Sequence, residues 1–60
     1  MAAKFVIKKD SAGKFRFSLQ AGNGEIIAVS EAHNTKASAV NGIQSVQKNA
    51  PIATVDDQTS

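Results

Sequence analysis

Residues 4–9, Lys-Phe-Val-Ile-Lys-Lys, place Phe5 and Ile7 on one side of an extended chain and Lys4, Val6 and Lys8 on the other. A repeat of two is the period of a half-buried strand. Residues 14–20 alternate more clearly, with Phe15, Phe17 and Leu19 inward and Lys14, Arg16, Ser18 and Gln20 outward. Asp10-Ser11-Ala12-Gly13 lies between the two runs and carries a side-chain acceptor at its start and a glycine at its end, the chemistry of a turn. All three aromatic residues therefore fall on two adjacent strands, where cross-strand rings can stack. Ala21-Gly22-Asn23-Gly24 is the strongest turn signal in the chain, because Asn-Gly between apolar segments marks a hairpin. A third strand over 25–30 follows. Its run Ile26-Ile27-Ala28-Val29 is continuously apolar, which suits a strand covered on both faces, the second cover coming from within the chain or from a partner subunit.

The period then changes. Glu31 to Asn34 read as a loop, and either Asn34 or Thr35 can cap a helix by accepting from a free first-turn N–H. Ala39, Val40, Ile43 and Val46 recur at spacings of three and four, while Lys36, Asn41, Gln44, Gln47 and Lys48 cover the opposite side. Gly42 interrupts this helix at a cost of up to about 1 kcal/mol relative to alanine, so a close approach of helix to sheet is expected there. Asn49 is placed for a left-handed cap and Pro51 for preventing continuation. Ile52 to Val55 are short and β-prone, a candidate last strand. The predicted architecture is α+β: a β-β-β-α-β unit, an antiparallel meander with one helix packed on the sheet, in a single domain over 1–60 that is ordered from 4 to 56 and ends in a flexible tail, 57–60.

Composition adds an energetic argument. The chain has 60 residues, 42% hydrophobic, so it is globular in character and holds one domain at most. A domain this short gains scarcely more from burial than it loses in conformational entropy. With no cysteine to form disulfides or thiolate metal sites, oligomerisation is the remaining staple, and a homodimer is the simplest form. No apolar run is long enough to span a membrane, and Lys4 is not followed by the apolar core of a signal peptide; a cytoplasmic location and no membrane partner are expected.

Two segments, Phe15-Arg16-Phe17-Ser18-Leu19-Gln20-Ala21-Gly22-Asn23-Gly24-Glu25 and Lys36 to Ala50 with its Lys-Ala-Ser-Ala start, resemble the YegP-like family of small bacterial domains, and Ser30-Glu31 before the helix is similar as well. The resemblance runs from about Lys4 to Asp56. It implies a unit that occurs in tandem in one chain or singly, single copies pairing as homodimers that share a sheet and exchange their C-terminal strands. Here Ala53 to Asp56 would be the exchanged strand. The resemblance implies no biochemical activity.

Candidate chemistry is sparse. His33 is the single histidine, with no cysteine and only Glu31 nearby, so it cannot form a zinc site by itself. Ser30, Glu31 and His33 contain the groups of a hydrolase triad, but adjacency in sequence is not triad geometry. Gly22-Asn23-Gly24 joins two strands and precedes no helix, unlike a phosphate-binding loop. Asp56-Asp57 falls in the expected tail, where no geometry is held for acid–base work. No catalytic residue, cofactor site or metal site is therefore assigned. Seven basic against five acidic residues give a net charge of +2, a mild excess. Lys4, Lys8, Lys14 and Arg16 are expected to share the outer face of the first hairpin, where they could hold an anion such as a nucleic-acid backbone. The alternative is a solvated face whose charges discourage aggregation. The expected function is that of a non-catalytic homodimeric interaction module, with an unidentified protein as a further partner and weak polyanion or nucleic-acid binding as the second reading.

Overall fold

The computed structural model describes residues 2–59. Met1 and Ser60, the ends of the expected single domain and of its tail, lie outside the described residues. Three strands, β1 (Lys4–Lys9), β2 (Phe15–Gln20) and β3 (Ile26–Val29), form one antiparallel sheet in the order β1-β2-β3, and a single helix, α1 (Lys36–Asn49), follows. This is the α+β meander with one helix that the alternating and 3.6-residue periods predict.

The two hairpin turns share one hydrogen-bond pattern. In the first, the Gly13 N–H donates to the Asp10 carbonyl (3.0 Å) and the Asp10 N–H to the Lys14 carbonyl (2.8 Å). In the second, Gly24 and Ala21 are bonded in the same way (2.9 Å), and the Ala21 N–H donates to the Glu25 carbonyl (2.7 Å). Each turn ends on a glycine with positive φ, 79° at Gly13 and 91° at Gly24, and no other residue adopts that conformation among the described residues. Both are turns closed by a left-handed glycine. A side chain finishes each one. Asp10 Oδ1 accepts from the N–H groups of Ala12 and Lys14, both at 2.9 Å, and Asn23 Oδ1 accepts from that of Glu25 at 3.0 Å.

The turns set the register. Phe5 faces Leu19 and Ile7 faces Phe17 across β1 and β2, so the apolar set shares the side that meets α1. Phe5 and Phe17 meet diagonally, edge to face, with ring centroids 6.0 Å apart. Between β2 and β3 the register slips: Gln20 faces Ile26, but Leu19 faces Ala28 and Ser18 faces Val29, leaving Ile27 as a bulge. Past the bulge every side chain changes face. Without it, Val29 would face Phe17 on the helix side; with it, Val29 stands on the outer face beside Ser18.

Beyond β3 the chain keeps company with β2. Ser30 Oγ accepts from the Phe17 N–H (2.9 Å), the Ser30 N–H donates to the Phe17 carbonyl (2.8 Å), and His33 and Phe15 exchange two backbone bonds of 2.8 Å. Thr35 then caps α1, its hydroxyl oxygen accepting from the Ser38 N–H at 3.1 Å. Ala39 is fully buried, and Val40, Ile43 and Val46 are half-buried on the same face, the stripe that the spacing predicts.

The C-terminal segment departs from expectation. Asn49 keeps right-handed helical angles, and its side chain donates to the Ser45 carbonyl at 2.9 Å instead of taking a left-handed cap. Ala50–Ile52 continue as a tight 3-10 turn, because Pro51 has no N–H to extend the α-helical ladder. Ile52 is thus in a turn rather than at the start of a strand, and residues 53–59 run without regular structure in the single chain.

Candidate functional site

The centre of the fold is organised around Phe17. Its ring stacks on the imidazole of His33 (centroids 6.1 Å apart, planes inclined by 20°) and touches Phe5 on its edge. His33 Nδ1 and Ser38 Oγ are 3.0 Å apart, which ties the loop to the first turn of α1. Gly42 sits over this pair. A β-carbon there would lie 3.0 Å from Cε2 of Phe17 and 3.6 Å from Cε1 and Nε2 of His33. The close approach expected at Gly42 is therefore made, and against an aromatic pair. His33 is half-buried in that contact, a role that its polar neighbours in the sequence do not disclose. Ser30 Oγ is engaged elsewhere, donating to the Glu31 carbonyl at 2.8 Å and accepting from the Phe17 N–H, while the imidazole meets Ser38, so Ser30 is not held against His33 as a triad requires.

The four basic residues have different surroundings. Lys4 and Lys8 are exposed on β1, where Lys4 faces Gln20 and Lys8 faces Arg16. Arg16 Nε donates to Asp10 Oδ2 at 2.9 Å, an ion pair between the second strand and the turn before it. The Lys14 ammonium is bonded to Asn34 Oδ1, next to the helix cap. The structure thus brings Lys8 and Arg16 together, keeps Lys4 at the far end of the sheet, and turns Lys14 toward the loop before α1. The Asp10 carboxyl is held below the usual carboxylate range, first by the hydrogen bond from Arg16 and then by that from the Lys14 N–H, with the Ala12 N–H adding to them, and together these outweigh the opposing effect of burial. Asp57 is lowered too, by the hydroxyl and N–H of Thr59 two residues on.

The outer face also carries an apolar row. Val6, Ser18 and Val29 stand side by side across the three strands. They line a shallow depression of about 320 Å³ together with Lys8, Arg16, Phe17 and Ser30. Sequence periodicity places Ser18 and Val6 outward but cannot place Val29 there, because only the bulge at Ile27 turns it over.

On β3 itself Ile26, Ile27 and Val29 are exposed, as are Ile52 and Val55, the last at 95%. The cover expected for the apolar third strand is not supplied among the described residues. Among the described residues, no helix is long and apolar enough to cross a membrane.

Meander, single helix and uncovered edge define a small α+β unit built to one layer of sheet and one of helix. The chain belongs to a family described as a domain of unknown function (DUF1508), whose sequence model matches residues 10–57. Its relatives bear the family name UPF0339. A UPF0339 protein of Treponema denticola is 62% identical over 55 residues, covering 92% of this chain and 95% of that protein. The UPF0339 protein YegP of Shigella flexneri is 53% identical over 51 residues, which is 85% of this chain but 46% of YegP. The NMR solution structure of a protein from Haloferax volcanii superimposes with a TM-score of 0.86 at 40% identity, covering 93% of this chain and 95% of that one.

Proposed function

We propose that the protein is a non-catalytic interaction module that works in the cytoplasm as a homodimer, each copy lending Ala53–Asp56 to the other. The observation that carries this reading is an excess of surface. The described chain exposes 4849 Å², whereas a folded monomer of its mass is expected to expose about 3,700 Å². The difference, roughly 1,100 Å², is of the size that one partner hides in a standard interface, about 800 Å². The radius of gyration, 13.0 Å, likewise exceeds the value of about 10 Å for a compact domain of this length.

The uncovered groups are of the right kind. β3 is a sheet edge with exposed isoleucines, and Ile52 and Val55 are exposed on a segment that pairs with nothing among the described residues. An extended segment added to a sheet edge satisfies backbone groups and covers side chains at once. The two lengths of relative agree with pairing: the unit fills 95% of the Treponema protein but 46% of YegP, a chain with room for a second unit. Light scattering at micromolar concentration tests the reading. Twice the chain mass is expected, and a monomer mass refutes it. A further protein partner is expected to be captured reproducibly by the dimer, and to be lost when charges are placed on the outer sheet face.

A further inference from the structure

The outer face of the sheet carries a feature that dimerisation does not explain. Lys8 and Arg16 are direct cross-strand partners on that face. Like charges in that position destabilise a sheet. Asp10 compensates only in part, since it engages Nε of Arg16 and leaves the two terminal nitrogens of the guanidinium and the Lys8 ammonium without a hydrogen bond among the described residues. Beside this pair lies the row Val6–Ser18–Val29, in which the short serine between two valines makes the depression. The Ser18 hydroxyl also has no hydrogen-bond partner among the described residues, unlike that of Ser30. Two cations and one hydroxyl therefore line the same depression as the two valines.

We infer that this depression is a binding site for a small monocarboxylate with an apolar body. The carboxylate lies between the Lys8 ammonium and the terminal nitrogens of Arg16, whose fork suits two oxygens. Ser18 donates to it, and the hydrocarbon covers Val6 and Val29. Each half of the site requires the other. A bare anion leaves the valines wet, and an uncharged or cationic body leaves the repelling pair uncompensated. A nucleic acid fits less well, because the phenylalanines belong to the helix side of the sheet and no aromatic row stands beside the cations for bases to stack on. The volume, about 320 Å³, lies at the small end of ligand pockets, roughly 300–1,000 Å³. The site lies within one chain, so it stands or falls independently of the homodimer.

The test is an amide-detected NMR titration of the full labelled chain with octanoate, and in parallel with acetate, octylammonium and a single-stranded oligonucleotide. Octanoate is expected to cause saturable shifts centred on Val6, Ser18 and Val29. Acetate and octylammonium should bind at least about tenfold more weakly, since each lacks one half of the match, a difference of about 1.4 kcal/mol. Lys8 is exposed and makes no ion pair among the described residues, so its replacement leaves the fold intact. Lys8→Gln should weaken octanoate about tenfold and Lys8→Arg should retain it. The inference is overturned if octanoate gives no saturable shift at these amides in the millimolar range. It is equally overturned if acetate or octylammonium matches octanoate, if Lys8→Gln binds as the parent does, or if the oligonucleotide binds the same residues more tightly.

Discussion

A β-carbon on Gly42 would come within 3.0 Å of the Phe17 ring, which is itself held between Phe5 and His33. That contact decides between two opposed effects of Gly42→Ala. Alanine gains up to about 1 kcal/mol as a helix former. Against this, α1 must move off the sheet or the ring must shift, and overpacking of this kind typically costs about 1–3 kcal/mol. Phe17 cannot retreat freely, with another ring at its edge and the imidazole stacked on its face. We expect a net loss of about 1 kcal/mol for Gly42→Ala and more for Gly42→Val, read from urea or thermal unfolding. A gain in stability for Gly42→Ala would show that the helix can lift from the sheet at no cost.

Asp10 links the first turn to Arg16, and its depressed pKa gives the link a pH signature. A carboxylate whose folded pKa lies below its unfolded value contributes stability that is complete above the unfolded pKa, about 3.9, and that is lost as pH falls through the folded pKa. Asp10→Asn keeps the shape but removes the charge-assisted bond to Arg16. The parent should therefore be the more stable protein at pH 6, and the difference should shrink steadily as the pH is lowered from 5 to below the folded pKa. Thermal midpoints of the two proteins along that series check it. A difference that stays constant through the acid range would mean that the charge of Asp10 contributes nothing.

The first hairpin and the helix are legible in the sequence because each has a single strong period. Phe5 and Ile7 against Phe15, Phe17 and Leu19 leave one way to put grease on one face, and the glycine-ended turns fix the pairing. The third strand is legible as a strand but not in its facing. Ile26-Ile27-Ala28-Val29 has no alternation to read, so the bulge that sends Val29 outward is set by pairing with β2 alone. The same limit applies to His33, Ser30 and Lys14, whose partners Ser38, Phe17 and Asn34 are brought near by the path of the chain between sheet and helix. Four outward cations can be counted from the alternation. Which of them stand together cannot, since Arg16 and Lys14 are drawn to Asp10 and Asn34 by contacts that no period encodes.

Thr35 offers a test of how α1 begins. Its extended backbone and its hydroxyl, which accepts from the Ser38 N–H, satisfy one of the donors that the first turn leaves open. No acidic residue in that turn shares the task. Thr35→Ala should cost about 1 kcal/mol, whereas Thr35→Ser and Thr35→Asp should cost little, because each keeps an oxygen at the cap. Urea midpoints order the three variants. Equal stability of all three would place the cap on another residue, Asn34 being the neighbour of suitable chemistry.

Exposed apolar groups on β3 and on the C-terminal segment tie the proposed dimer to a dependence of stability on concentration. If two chains complete each other, unfolding also separates them, and a tenfold rise in protein concentration favours the folded dimer by about 1.4 kcal/mol. For two chains of this size unfolding together that raises the midpoint of thermal unfolding by several degrees, roughly 4 °C for each kcal/mol. Val55, at 95% exposure, makes no contribution to a solitary chain, so Val55→Asp should leave a monomer as stable as before. In the proposed dimer the same change would set a carboxylate against Ile26 and Ile27, where a charge has no partner and is strongly disfavoured. Val55→Asp is therefore expected to lower the midpoint, to abolish its dependence on concentration and to halve the mass in solution. A parent protein whose midpoint is the same at ten and at a hundred micromolar, and which Val55→Asp leaves unchanged, would mean that the surface of β3 is open to water in the working molecule.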